Sequence, residues 1–348
     1  MNDELLLPFR TARLLLRPFT ATDAPALAAY RSDPDVARFQ DWDLPFSVED
    51  AEKLIAGQAG QSGPERGGWY QIAIEHDGEL VGDLALGLDD SGQLATLGYS
   101  LRSDRQGSGF ATEAAEALID RLFESFGIHR VAATLDPANI ASARLLERLG
   151  FRYEGRGLQM ALVRGEWCDD DRYALLRSDR DAWLARPRTS PDEVRLVEIT
   201  HAIFPDVYRL ATHHSQERFV APVPKSFADA LIPEVVDGAP LVPWYRAVDA
   251  DGELVGFVMC SEVTPAHPEP FLWRLLVDRR HQRRGIGTRI IALVIEHARE
   301  QGATTLMTSW VEGPGSPAPL YLGLGFEPTG DLDDDEVVAR LRFDQPVT

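Results

Sequence analysis

The chain has 348 residues and a formal net charge of −20. That length suits two domains, each able to bury its own core. The acidity argues against nonspecific nucleic-acid binding, which rests on cationic contacts to phosphates, and it favours cationic small molecules by steering. No apolar run reaches membrane-spanning length. MNDELLLPFR has no basic start or cleavage site and does not read as a secretory leader. A cytoplasmic location is expected, and the two cysteines, Cys168 and Cys260, suggest no disulfide framework. Lys53 and Lys225 are the only lysines, so the basic residues are nearly all arginine.

In chain order, RLLLRPF at 13–19 reads as a strand and ATDAPALAAYRSD as a short helix. SVEDAEKLIAGQA at 47–59 reads as a helix with Ser47 as its N-cap and Asp50 near the third helical position. WYQIAIEHDGELVGDLALGL reads as a β-hairpin turning at Asp77 and Gly78, and ATLGYSL as a further strand. From Gly109 to Phe126 the apolar residues keep helical spacing. HRVAATLD is a strand, and IASARLLERLG a helix ending at Gly150. Two strands are expected near 151–162 and 171–177.

SDRDAWLARPRTSPDE then reads as a linker, with domain boundaries at 1–178 and 193–348 and the linker at 179–192. The second half repeats the order: strand VRLVEIT, helices within 204–235, hairpin YRAVDADGELVGFVMCSEV and strand FLWRLLV. A helix follows from Gly287 to Arg299, then strand ATTLMTSWV, short helix PAPLYLGLG and strand VVARLRF. DLDDDE at 331–336 reads as a solvated turn.

The hexapeptide DGELVG occurs at 77–82 and again at 251–256. Gln106 and Gln282 open similar glycine turns, and LGF ends at Phe151 and at Phe326. These features keep their order and nearly their spacing, so the chain reads as two copies of one domain. Each copy has a strand, a glycine-rich turn and a helix. Small residues let backbone N–H groups approach an anion, and the helix N-terminus adds about half a positive charge. The turn lacks the Lys-Ser/Thr of a Walker loop and the spacing of a dinucleotide fingerprint.

The fuller pattern is a strand, Gln, two residues, Gly, one residue, then Gly or Ala. It holds Leu101, Gln106, Gly109 and Ala111 in the first copy, and Val277, Gln282, Gly285 and Gly287 in the second. This resembles the acetyl-CoA motif of the GNAT superfamily of N-acetyltransferases. RTARLLLRPFTATD, GFATEAA and GEWCDDDRYALL resemble the branch that acetylates ribosomal-protein N-termini. FLWRLLVDRRHQRRGIG and LYLGLGF resemble the branch of polyamine and small-amine acetyltransferases. The resemblance implies an α/β fold of two tandem GNAT domains, each with a mixed, mostly antiparallel sheet flanked by helices.

The resemblance also implies roles. Gln106, Gly107, Ser108, Gly109, Phe110 and Ala111 would hold the CoA pyrophosphate in the first domain. Gln282, Arg283, Arg284, Gly285, Ile286 and Gly287 would do so in the second, with both arginines adding charge. Leu101 and Val277 would present backbone groups to pantetheine and the thioester, where a fixed amide stabilises the oxyanion. Asn139 and Ser142 match positions that meet pantetheine. Tyr321 matches the tyrosine that protonates the departing thiolate. The first domain has Leu146 there, which leaves Ser142 or water for that step, and the second has Pro314 at the asparagine position.

The reaction implied is direct attack of a primary amine on the thioester of acetyl-CoA. The amine belongs to a small molecule or a peptide N-terminus, with no nucleic acid and no membrane as partner. One domain is expected to dominate, the second slightly favoured. A mycothiol-synthase-like acetyltransferase and a non-catalytic acyl-CoA-binding module are the rival readings. A lysine-like amine, with a pKa of about 10.4, needs roughly 4–5 kcal/mol to be neutral at pH 7, while an α-amino group needs only about 1 kcal/mol. Asp83 and Glu262 are the candidate bases, each also readable as a solvated edge carboxylate. His213 and His214 are adjacent and face different ways on a helix, so no metal is assigned. Trp42, Trp69, Tyr70, Trp244 and Tyr245 are aromatic candidates for acceptor pockets or for packing. The chain is expected as a monomer with paired domains or a homodimer.

Overall fold

A computed structural model describes residues 7–343; residues 1–6, where the leader question falls, lie outside them. The chain divides into two compact units between Ala185 and Arg186. Among the described residues, no helix is long and apolar enough to cross a membrane.

Unit 1 runs β1 (Phe9–Arg10), β2 (Leu15–Pro18), α1 (Ala24–Arg31), α2 (Pro34–Ala37), α3 (Val48–Gly57), β3 (Trp69–His76), β4 (Glu79–Leu88) and β5 (Leu94–Leu101). It continues with α4 (Phe110–Ser125), β6 (Arg130–Leu135), α5 (Ile140–Leu149), β7 (Arg152–Val163), β8 (Glu166–Leu176) and α6 (Arg177–Ala185). The sheet order is β1-β2-β3-β4-β5-β6-β8-β7. Every neighbouring pair is antiparallel except β5 and β6. Helices α4 and α5 share the main core with residues of β4 and β5, including Leu84, Leu97, Leu118, Ile119 and Leu146. Helices α1 and α3 bury Leu27, Ala28, Ala51 and Ile55 in a separate cluster.

Unit 2 runs β9 (Val194–Val197), α7 (Phe204–Tyr208), α8 (Val223–Leu231), the short strands β10 (Val235–Val236) and β11 (Ala239–Pro240), β12 (Pro243–Ala250) and β13 (Glu253–Ser261). It continues with β14 (Phe271–Val277), α9 (Ile286–Glu300), β15 (Thr305–Val311), α10 (Ala318–Gly323), β16 (Glu327–Asp333) and β17 (Glu336–Arg342). The large sheet has the order β16-β17-β15-β14-β13-β12-β9, with only β14 and β15 parallel. Helices α9 and α10 pack in one cluster. Val207 and Leu210, at and just after α7, and Val223 of α8 pack with Phe257, Met259 and Leu276 in another.

Most elements fall where the sequence pattern puts them. Ser47 and Asp50 form a capping box at α3, and Gly150 ends α5 in the left-handed region at φ 95°. The repeated hexapeptide has a physical explanation in two parts. Asp77 and Gly78 have φ 51° and 80°, and Asp251 and Gly252 have φ 54° and 87°. Both central residues are left-handed, as a tight hairpin turn matching strand twist requires. At the other end, Gly82 pairs with Leu101 and Gly256 with Val277. A Cβ on Gly82 would lie 2.2 Å from the Ser100 carbonyl oxygen, and one on Gly256 would lie 2.5 Å from that of Leu276. Only glycine lets the next strand approach so closely.

Two expectations are corrected. The stretch read as a linker at 179–192 is helical as far as Ala185. Arg180 is buried there between Glu116 and Asp120, and Trp183 packs over Gly150. Its charge and proline content mimic a linker, but these contacts anchor it. Strand β8 begins at Glu166, five residues before the expected start, because its first half pairs with the extended β7.

Candidate acetyl-transfer site

In each unit the parallel pair makes a slot. Strand β5 pairs with β6 only at Leu94, Ala95 and Thr96. It then follows β4 as far as Leu101, while β6 follows β8 as far as Leu135. Strands β14 and β15 pair only through Phe271–Met307 and Leu272–Thr308 before they part. The parted strands leave backbone donors and acceptors facing each other with no ladder between them.

Each slot opens at a glycine turn that caps a long helix. Gly109 precedes α4 with φ 81°, and Gly285 precedes α9 with φ 75°; neither helix has a side-chain cap. The first N–H groups of such a helix lack intrahelical partners and carry the positive end of the dipole. The first turn of α9 contains no acidic residue. In the first turn of α4, Glu113 is engaged by Thr11 and by Arg13. A Cβ on Gly287 would meet Leu320 at 3.4 Å, an ordinary contact that matches the alanine at the equivalent Ala111. The donor set of exposed amides suits a phosphate anion.

The motif glutamines turn back to their own strands. The Gln106 side chain donates to the Leu101 carbonyl at 3.3 Å, and Gln282 to that of Val277 at 3.1 Å. Each ties the turn to the end of its strand. Gln282 also pairs with Gln216. Arg218 donates to the Pro314 carbonyl at 2.7 Å, so the segment from Gln216 to Arg218 is tied to both sides of the second slot.

Arg284 overturns its sequence reading. It is 6% exposed, and donates to the Thr189 carbonyl at 2.7 Å and to Nδ1 of His281 at 2.8 Å. Arg283 has φ 61° and its side chain stays at the surface. Of the two motif arginines, Arg283 is thus the exposed one. In unit 1 the sequence reading missed Arg13. Its guanidinium donates to the Ser108 carbonyl at 3.0 Å and approaches Gly109. Arg13 lies almost a hundred residues from the turn, so no local spacing signals it.

Tyr321 is buried in α10. It stacks on Trp310 at 5.7 Å and hydrogen-bonds Thr308, and burial pushes its phenol up to about 12. Thr308 donates in turn to the Leu272 carbonyl at 3.1 Å. These residues meet where β14 and β15 part. In unit 1, Oδ1 of Asn139 caps Ser142 N at 3.1 Å, which leaves its amide group as a donor. The Ser142 carbonyl accepts from Tyr99 at 3.3 Å.

Glu262 is not brought to its slot, and Asp83, opposite Ser100 in the sheet, is engaged by other side chains. Asp83 is 2% exposed rather than solvated, and bonds Tyr30 and Arg31. Glu262 bonds Gln301 and lies 3.6 Å from His297 at the C-terminal end of α9. A helix of this length spans about 22 Å, and Gly285 is at its other end. Because β13 runs antiparallel to β14, a residue just past β13 is carried away from Val277. The aromatic candidates mostly pack. Trp42 holds Arg31, Tyr70 and Trp244 are buried, Tyr245 stacks on Phe257, and Trp69 is exposed. A cavity of about 450 Å³ in unit 1, lined in part by Arg66, Leu86, Leu122 and Phe126, lies toward the C-terminal end of α4, away from Gly109.

The model of the acetyltransferase (GNAT) domain matches residues 13–152, and that of the acetyltransferase (GNAT) family matches residues 207–326. The uncharacterised N-acetyltransferase p20 of Bacillus licheniformis is 31% identical over 171 residues, covering 49% of this chain and 96% of that protein. The chain belongs to the GNAT N-acetyltransferases. As a GNAT enzyme it uses acetyl-CoA as acetyl donor. This GNAT chain is also similar to the [ribosomal protein uS5]-alanine N-acetyltransferase of Escherichia coli. That protein is 40% identical over 83 residues, covering 24% of this chain and 43% of its own length. A GNAT acetyltransferase structure from Bacillus anthracis is 28% identical, covering 49% of this chain and 99% of its own, with a TM-score of 0.45.

Proposed function

We propose that the protein transfers the acetyl group of acetyl-CoA to a primary amine of a small molecule or a peptide N-terminus, by direct attack on the thioester. The observation that carries this reading is the pairing, in both units, of an uncapped glycine turn with a slot between parted strands. The turn amides, from Gln106 to Ala111 and from Gln282 to Gly287, hold the pyrophosphate, helped by Arg283 in unit 2 and Arg13 in unit 1. Backbone groups near Leu101 and Val277 meet the pantetheine arm and polarise the thioester carbonyl. In unit 1 the Asn139 amide adds a contact.

Unit 2 is proposed as the dominant site. Its Tyr321 hydroxyl and Thr308 sit where the slot closes, ready to hold a proton against the departing sulfur. With Asp83 held by Tyr30 and Arg31 and Glu262 at the far end of α9, no side-chain base is assigned. This favours an acceptor that is substantially neutral near pH 7, such as an α-amino group. The units are proposed as two domains divided near residue 185.

Calorimetry with acetyl-CoA tests the reading, using the wild type and the Gly109→Glu and Gly285→Glu variants. A carboxylate in either turn should abolish binding there. Loss of binding only in Gly285→Glu would place the working site in unit 2, and no binding by the wild type would refute the proposal.

A further inference from the structure

The two units carry a reciprocal exchange of tyrosine and leucine around the slot. Leu101 and Val277 are equivalent, because each pairs with the last glycine of DGELVG. Two residues earlier, unit 1 has Tyr99 and unit 2 has Leu275. Leu146 and Tyr321 are equivalent too, since the N–H of Phe151 donates to the Leu146 carbonyl at 3.0 Å and that of Phe326 to the Tyr321 carbonyl at 3.1 Å. Unit 1 therefore has its phenol on the strand and leucine on the helix, and unit 2 has the reverse. Tyr99 and Leu146 belong to one core cluster, as do Leu275 and Tyr321. At these two equivalent positions each unit keeps one phenol.

Tyr99 lies beyond Thr96, where β5 has left β6. Its side chain is partly buried and crosses to α5, where the hydroxyl donates to the Ser142 carbonyl. At 3.3 Å that bond is long for an O–H donor, so the hydroxyl can turn to a better acceptor at modest cost.

We propose that Tyr99 is the proton donor to the departing thiolate in unit 1, doing from the strand what Tyr321 does from the helix in unit 2. This rests on the reading that the unit 1 slot holds the thioester. The amine nitrogen forms a bond to the carbonyl carbon, and the carbon–sulfur bond breaks. The sulfur takes the Tyr99 hydroxyl proton, the phenolate recovers one from solvent, and the amine releases its surplus proton to solvent. Ser142 then holds Tyr99 in place, through its backbone carbonyl and through its hydroxyl.

The test uses CoA bound to the Gly285→Glu protein, where only the unit 1 turn is intact. Iodoacetamide alkylation of the CoA thiol is followed against pH by counting alkylated CoA after release. A hydrogen bond from Tyr99 favours the thiolate, so adding Tyr99→Phe should raise the apparent thiol pKa by about one unit, or about tenfold less thiolate at a fixed pH below it. CoA affinity should stay within about threefold, given the modest net value of one hydrogen bond. Ser142→Ala, which removes a hydroxyl bonded to the phenol, should shift the profile by less than Tyr99→Phe does. An unchanged profile in Tyr99→Phe with CoA still bound, or a larger shift in Ser142→Ala than in Tyr99→Phe, would overturn the role of Tyr99. Failure of the Gly285→Glu protein to bind CoA at all would instead remove the donor site of unit 1, and the role with it.

Discussion

The side chain of Gln282 donates to the carbonyl of Val277. A residue whose position in the motif suggests ligand contact instead ties the turn to the strand five residues back. Gln106 and Leu101 repeat the relationship. The turn is held in shape before any phosphate arrives, so binding energy is not consumed in ordering it.

Arg283 and Arg284 should separate cleanly on substitution. Arg283→Gly removes a surface cation and a left-handed non-glycine residue. It is expected to weaken acetyl-CoA binding by roughly 3–10-fold and to raise stability by about 0.5–1 kcal/mol. Arg284→Ala should leave affinity within about twofold and lower stability by about 1–3 kcal/mol, because His281 and the Thr189 carbonyl lose a buried partner. Calorimetry and urea unfolding on the two proteins check both.

Gly82→Ala and Gly256→Ala should each destabilise their own unit. The new methyl group would strike a strand carbonyl, at a cost of about 3 kcal/mol, or roughly 6–12 °C in melting temperature. Scanning calorimetry would show it, and a loss below about 1 °C would contradict the packing described.

Tyr321→Phe should bind acetyl-CoA as the wild type does and lower kcat by about 10²-fold, within the range of positioned proton donors. The assay is thiol release with any primary amine that the wild type acetylates. Unchanged kcat would remove the role of Tyr321 and leave it as a core aromatic stacked on Trp310.

Acid should weaken unit 2 through His213. Burial, with Arg279 nearby, lowers this histidine from 6.5 to about 4. Between those values the unfolded chain binds the extra proton, so stability is lost as pH falls through the window. The full shift corresponds to about 3 kcal/mol, and water at the partly exposed ring reduces this to about 2 kcal/mol. Urea midpoints between pH 7 and pH 4 should therefore fall less steeply in His213→Gln than in the wild type.

Much of the fold was legible because periodicity and turn chemistry are local. DGELVG, the glycine turns and the LGF endings mark the same places in both units. The misreadings come from contacts distant in sequence. Arg284 looks like a phosphate ligand until His281 and Thr189 are seen to enclose it. Asp83 looks like an edge carboxylate until Arg31 is found against it, fifty-two residues away in sequence. Glu262 looks well placed on the repeat, but strand direction carries it to the wrong end of α9. The segment from 177 to 185 has a linker's composition and a helix's contacts.

Parting two strands in the middle of a sheet creates a pair of raw edges, the feature that elsewhere invites other chains to add on and aggregate. Here the edges face each other across a narrow wedge, joined at Leu272 and Thr308 in one unit and at Thr96 and Ala132 in the other. Each raw edge thus faces a strand of its own sheet, and the outer edges of the two large sheets are β1 and β7 in one unit and β16 and β9 in the other.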